Sequence, residues 1–204
     1  RMQCFTAIAA LAVGATVHFA PVALAQEAGA RPETSPMSRV PDARKKQESG
    51  RVFGGKTAEK GEYPFQVALL GSDWLDDSPE SQAYAQFCGG SLISPEWVLT
   101  AAHCLHDGSG AISAGSVVIL TGATDLTEGS RHKVAEVIVH EGYSNVSLDN
   151  DIGLIKLAAP ATGAATVALP SGPTEDAGPS TVIGWGLTEE LVYPTALMKA
   201  DIEL

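Results

Sequence analysis

Basic side chains are scarce in this sequence of 204 residues, which carries 13 Lys and Arg against 24 Asp and Glu. The formal net charge is therefore −11 at pH 7. A protein that binds nucleic acid needs a basic face to neutralise phosphates, and this charge balance argues against one. We expect no nucleic-acid partner. The hydrophobic content of 45% is too high for a disordered chain and predicts a globular one.

Long hydrophobic runs are also missing. The longest, residues 5–17, has about 13 residues, fewer than the roughly 18–20 needed to span a bilayer. It is followed by Ala23-Leu24-Ala25, the small-x-small pattern that signal peptidase accepts, so residues 1–25 are predicted to be a signal peptide. The alternative is an N-terminal buried helix. We expect a secreted or extracellular protein, or a periplasmic one in a bacterium, without membrane association after signal cleavage.

Large apolar side chains are nearly absent from residues 26–51, which contain three prolines and ten charged residues. Such a segment cannot bury enough surface to offset its ordering entropy, which predicts a linker or tail. The functional interpretation is a propeptide, with Arg44-Lys45-Lys46 and Arg51 as accessible cleavage sites. The charge changes at the same point: residues 1–51 carry +3 and residues 52–204 carry −14.

No segment after residue 51 has a 3.6-residue apolar stripe over ten or more residues. Short runs of Val, Ile and Leu are instead separated by Gly, Pro, Asp and Ser, which predicts β-strands. Strands at spacings of roughly ten residues indicate an all-β barrel or sandwich. The candidate strands are 65–70, 91–93, 97–101, 116–122, 133–140, 152–157, 180–184 and 196–204.

Cysteine is scarce, with three residues in the chain. Cys4 lies in the predicted signal peptide, which leaves Cys88 and Cys104. An even pair in an exported protein predicts a disulfide. The alternative is a zinc site that adds His103 and His106 as ligands. We expect no metal or other cofactor, because adjacent residues at a strand end point to opposite sides and do not readily share one ion.

Two polar side chains stand at the ends of apolar runs. His103 ends the run 97–102 beside Cys104, and Asp151 precedes the run 152–157. A histidine held in place suits a general base, which must stay within hydrogen-bond reach of a nucleophile. A carboxylate at the mouth of a buried strand needs a donor, and an imidazole N–H can be that donor. Taken singly, each residue is more often structural.

Six short motifs follow one another between residues 52 and 186. They are VFGG at 52–55, YPFQV at 63–67, FCGGSLI at 87–93, WVLTAAHC at 97–104, DNDIGLIKL at 149–157 and GWG at 184–186. In composition and order they resemble the motifs of the trypsin-like (chymotrypsin-fold) serine proteases. The resemblance covers residues 52–204, which we take as the predicted protease domain.

The resemblance implies a chymotrypsin-like double β-barrel, with the first barrel complete and the second incomplete. It also implies a Ser-His-Asp triad between the barrels. His103 matches the general base, and Asp151 matches the aspartate that orients it. Cys88 and Cys104 match a disulfide of the family. The implied function is a secreted serine endopeptidase that hydrolyses protein or peptide substrates.

Activation is implied by the same resemblance. Arg51-Val52 matches the family's activation cleavage site, which implies that the protein is made as a zymogen. The freed amine of Val52 would insert and pair with the aspartate that precedes the nucleophile. An activating protease is a further expected partner, with self-cleavage as the alternative.

The family's nucleophile motif, Gly-Asp-Ser-Gly-Gly, does not occur in the 204 residues. Ser72 and Ser78 lie in the loop before Cys88 and lack the glycine setting of an oxyanion hole, so neither is predicted to be the nucleophile. The walls of the specificity pocket are expected beyond Leu204. We therefore expect this chain to be inactive alone. The alternative function is a non-catalytic, protease-like binding or decoy protein.

Two smaller signals concern surface loops. An acidic segment before Cys88 suits a solvated loop, with calcium binding as the alternative. Its acidic residues are Glu62, Asp73, Asp76, Asp77 and Glu80. Asn145-Val146-Ser147 is a glycosylation sequon, for which a solvated turn without a glycan is the preferred interpretation.

Overall fold

A computed structural model provides the structure of the chain and describes residues 55–172, 178–188 and 192–203. The predicted signal peptide (1–25), the predicted propeptide (26–51) and the Arg51-Val52 cleavage site lie outside the described residues. Strands dominate the described part, together with one six-residue α-helix and three 3-10 turns. No helix among these residues is long and apolar enough to cross a bilayer.

The described ranges contain nine strands and one α-helix. In chain order these elements are β1 (Lys56–Thr57), β2 (Gln66–Gly71), α1 (Glu80–Ala85), β3 (Gln86–Ser94), β4 (Trp97–Thr100), β5 (Val117–Thr121), β6 (Ser130–Val139), β7 (Gly153–Leu157), β8 (Pro179–Gly184) and β9 (Met198–Glu203). The eight predicted strands correspond to β2–β9. Seven of them end within three residues of the predicted bounds, whereas β3 begins five residues before the predicted range 91–93 and has nine residues. Neither β1, which has two residues, nor α1, which has six, is long enough to show a hydrophobic period.

Six of the described strands close into an antiparallel barrel in the order β2-β3-β4-β7-β6-β5. Alternate residues of a strand point to opposite faces, so each strand sends one set of apolar side chains inward. In β7, Gly153, Ile155 and Leu157 are buried, whereas the residues between them are partly exposed. The closed barrel expected for the first half of the domain is confirmed. Its interior contains Val67, Leu69, Leu92, Val98, Leu105, Ile119, Ile155 and Leu157.

A second antiparallel sheet among the described residues has the order β1-β9-β8 and is open. Lys56 of β1 pairs with Lys199 of β9, and β8 pairs with β9 along its whole length. Trp185, which follows β8 and is 1% exposed, packs in a hydrophobic cluster with Leu70 of β2 and Leu197 before β9. This shared cluster holds the second sheet against the barrel.

Arg131 of β6 organises the acidic loop before α1. Its Nε donates to Oε1 of Gln82 at 2.8 Å, and its terminal nitrogens donate to the carbonyl oxygens of Asp76 and Ser78 at 2.6 and 2.7 Å. A calcium ion needs such carbonyl oxygens as ligands and is repelled by a guanidinium. The arrangement therefore disfavours the calcium interpretation of this loop.

We expect Arg131→Met to lower the free energy of unfolding by about 1–2 kcal/mol, because it leaves the acceptors of the loop without their charged donor. Thermal or denaturant unfolding measures the loss. Lys133→Met is the matched control, since Lys133 is exposed on the same strand and its side chain has no partner among the described residues. Equal stability of the two variants would contradict the role assigned to Arg131.

Candidate active site

The antiparallel pairing of β4 with β7 brings His103 and Asp151 to the same end of the barrel. The register pairs Thr100, the last residue of β4, with Gly153, the first residue of β7. The 3-10 turn Ala102–Cys104 begins two residues after the end of β4, and Asp151 lies two residues before β7. Residues separated by 48 positions therefore become neighbours.

The carboxylate of Asp151 contacts His103 at two points. Oδ1 accepts the backbone N–H of His103 at 2.8 Å, and Oδ2 lies 2.6 Å from Nδ1 of the imidazole. An ionised carboxylate can only accept, so Nδ1 carries the proton of the neutral ring and Nε2 is left as an acceptor. The His103 side chain is 41% exposed and that of Asp151 is 27% exposed. The ring is thus fixed in orientation while it remains accessible.

The predicted disulfide between Cys88 and Cys104 is present, with a Cα–Cα distance of 6.2 Å. Cys88 belongs to β3, and Cys104 directly follows His103 in the 3-10 turn. The disulfide therefore ties the histidine turn to β3, while Asp151 ties it to the start of β7. Both attachments restrict the position of the imidazole.

The zinc alternative required Cys88, His103, Cys104 and His106 to share an ion. The two sulfur atoms and one ring nitrogen of His103 lie within 4.8 Å of one another. Contrary to the prediction from the sequence, residues 103 and 104 do not point to opposite sides, because they lie in a 3-10 turn and not in a strand. The sulfurs are bonded to each other, however, and a disulfide does not offer the thiolates that bind zinc. The fourth ligand of that alternative, His106, is not part of this group of atoms, and its Nδ1 accepts the backbone N–H of Gly108 at 2.9 Å.

Gly153 is a part of the site that the sequence reasoning missed. A Cβ at this position would lie 2.7 Å from Cδ1 of Leu105 and 3.0 Å from the carbonyl oxygen of Ile138. Such distances are too short for a side chain, so glycine allows the histidine turn to pack directly against β7. The glycine two residues after the aspartate was the signal in the sequence for this close approach.

The pKa of Asp151 is held below its ordinary value. Burial alone would raise this pKa, but the hydrogen bonds from the ring and from the backbone N–H of His103 stabilise the carboxylate and outweigh burial. Asp151 is therefore ionised at neutral pH and can stabilise a positive charge on the imidazole beside it.

Comparison with known proteins identifies the family. Residues 52–204 match the family model described as Trypsin. The chain belongs to the trypsin family. Brachyurin of Leptuca pugilator is 39% identical over 162 residues, which covers 75% of this chain and 64% of that protein. Anionic trypsin of Canis lupus familiaris is 38% identical over 158 residues, which covers 74% of this chain and 57% of that protein.

A solved structure of this family supports the fold. The VesB protease of Vibrio cholerae superimposes with a TM-score of 0.60 at 33% sequence identity, covering 76% of this chain and 45% of that chain. The strands and the closed barrel are consistent with the chymotrypsin-like fold of this trypsin-family neighbour, so the predicted fold class is confirmed. The chain spans about half the length of the curated relatives it matches.

We expect the double substitution Cys88→Ser and Cys104→Ser to lower the free energy of unfolding by about 3 kcal/mol, because it frees a loop of 16 residues in the unfolded chain. Chemical denaturation of this trypsin-family chain measures the loss. An unchanged unfolding midpoint in the double variant would show that the disulfide does not anchor the histidine turn.

Asp151→Asn should destabilise the fold in a pH-dependent way. The pKa of Asp151 is lower in the folded state than the ordinary carboxyl pKa of about 4. The carboxylate therefore stabilises the fold fully above that ordinary pKa, and this stabilisation is lost as the pH falls through the lower pKa of the folded state. The gap in melting temperature between wild type and Asp151→Asn should therefore be widest near neutral pH and shrink below about pH 4.

Asp77→Asn is the matched control, because the side chain of Asp77 makes no hydrogen bond to another described residue. At neutral pH, where the gap for Asp151→Asn should be widest, the melting temperature of Asp77→Asn should stay close to that of the wild type. A gap for Asp151→Asn that stays constant with pH would contradict the stabilisation of the Asp151 carboxylate by His103.

Proposed function

We propose that the protein is a serine endopeptidase in which His103 is the general base and Asp151 orients and stabilises it. The supporting observation is the 2.6 Å contact between Nδ1 of His103 and Oδ2 of Asp151. With Nδ1 engaged, Nε2 is the nitrogen that takes a proton from a serine hydroxyl and returns it to the leaving amine. Asp151 then stabilises the imidazolium that forms between these two transfers.

The proposed substrates are proteins or peptides, because the relatives of this chain are proteases. We also propose export, with residues 1–25 as the signal peptide and 26–51 as the propeptide. The Cys88–Cys104 disulfide supports this, since disulfides persist in oxidising compartments. Cleavage between Arg51 and Val52 is the proposed activation step, made by another protease or by the enzyme itself.

We further propose that the serine nucleophile comes from sequence outside these 204 residues. In the described part of the chain, the hydrogen bonds of the His103 ring involve Asp151 alone. Ser72 and Ser78 are engaged within the acidic loop, where Ser72 donates to Asp73 and Ser78 accepts from the backbone N–H of Ser81. The 204 residues alone are therefore expected not to hydrolyse peptide bonds.

The test combines sequencing of the transcript with chemical labelling of the active-site serine. Reading the nucleotides past the codon for Leu204 should show a Gly-Asp-Ser-Gly-Gly motif, in frame or after a frame shift. The protein carrying that motif should react with a fluorophosphonate probe after cleavage at Arg51, and the 204-residue chain should not. His103→Ala should lower its labelling rate and peptide hydrolysis by at least about 10³-fold.

His106→Ala is the matched control, since His106 lies three residues away and does not contact Asp151. Its activity should stay close to that of the wild type. A stop codon without the nucleophile motif, together with no labelling, would overturn the proposal and favour a non-catalytic binding or decoy protein. Labelling of the 204-residue chain itself would overturn the proposed external nucleophile.

A further inference from the structure

The residues just before Asp151 have unusual backbone conformations. Leu148 has a φ of 59° and Asn150 a φ of 54°, and they are the only non-glycine residues with positive φ in the described ranges. Left-handed backbone is unfavourable for most side chains, and asparagine is among the few that tolerate it. Such strained positions persist only where surrounding contacts hold them. Their placement one and three residues before a candidate catalytic aspartate calls for such contacts.

The side chain of Asn150 makes one of these contacts. Its Nδ2 donates to the carbonyl oxygen of Gly142 at 2.9 Å. Gly142 lies in the turn that follows β6, so the bond joins that turn to the segment that enters β7. The backbone carbonyl of Asn150 also accepts the N–H of Ile152 at 2.7 Å, which closes a tight turn around Asp151. Asn150 thus makes one hydrogen bond through its side chain, to Gly142, and one through its backbone, to the residue that follows Asp151.

Gly142 provides the space for this bond. A Cβ on Gly142 would lie 3.1 Å from Nδ2 of Asn150 and 3.4 Å from Nδ1 of His140. The backbone N–H of Gly142 donates to that same Nδ1 of His140 at 3.0 Å, which fixes the turn after β6. The carbonyl that accepts from Asn150 is therefore itself held in place at the end of a barrel strand.

We propose that Asn150 is a positioning residue that holds the carboxylate of Asp151 against both the backbone N–H and Nδ1 of His103. Its left-handed backbone turns the chain toward the histidine, and its amide fastens that turn to Gly142. The aspartate can then reach two donors of one residue at 2.8 and 2.6 Å. The inference rests on the proposed function, because it assigns Asn150 to the same pair of catalytic groups.

The experiment observes the His103 ring directly by ¹H and ¹⁵N NMR of the full chain. The Nδ1 proton bonded to a carboxylate should give a downfield resonance that exchanges slowly with water, and His103→Gln assigns it by its loss. Asn150→Gly keeps the left-handed backbone and removes the amide, whereas Asn150→Asp keeps the size and removes the donor. In both variants we expect the resonance to move upfield and its exchange to quicken about fivefold.

Two further variants separate positioning from general destabilisation. Asn145→Asp makes the same chemical change in the same loop at a residue whose side chain has no partner in the described structure, and its resonance should match the wild type. Gly142→Ala crowds the bond from the other side and should shift the resonance in the same direction as Asn150→Gly. Melting temperatures taken in parallel identify any variant that is not folded at the temperature of the NMR measurement.

Wild-type resonance position and exchange rate in folded Asn150→Gly and Asn150→Asp would overturn the proposal. The same change in Asn145→Asp would also overturn it, because the effect would then come from charge on the loop. The readout needs neither a serine nor peptide hydrolysis. A failure of the proposed protease function therefore leaves this test valid and is detected separately by the absence of fluorophosphonate labelling.

Discussion

The antiparallel pairing of β4 with β7 is the constraint on which the candidate site depends. It fixes the end of one strand beside the start of the other, and Thr100 Oγ1 additionally donates to Gly89 of β3 at 2.8 Å. His103 and Asp151 both lie within three residues of this paired end. Because the strands belong to a closed barrel, the loops that carry the two side chains start from rigid positions. The short distances between the two side chains follow from that rigidity.

Covalent structure and electrostatics determine different properties of this site, namely the position of the histidine turn and the protonation of the ring. The Cys88–Cys104 disulfide and the absence of a side chain at Gly153 determine where the histidine turn lies. The Asp151 carboxylate determines which ring nitrogen holds the proton, and the two hydrogen bonds from His103 keep that carboxylate ionised. The contacts that orient the imidazole therefore also keep Asp151 negatively charged, and this charge stabilises an imidazolium.

The strands were predictable because their apolar runs are bounded by turn residues, and the six motifs were enough to predict the family and the disulfide. The catalytic roles that the motifs assign to His103 and Asp151 stay predictions. Composition and periodicity could not show that these two residues meet, since the β4–β7 register is set by packing across the barrel. The sequence also placed His103 and Cys104 at the end of a strand, whereas the structure places them in a 3-10 turn. The left-handed backbone of Asn150 depends on contacts with a distant turn and has no local pattern.

A double-mutant cycle on His103 and Asp151 tests most directly whether the folded barrel joins the two side chains. The free energy of unfolding is measured at neutral pH for the wild type, His103→Ala, Asp151→Ala and the double variant. If the pair is joined as the structure shows, the two substitutions should be non-additive, with a coupling of about 1 kcal/mol. Additivity to within about 0.3 kcal/mol would mean that the pair is not joined in the folded protein and would contradict the site described above.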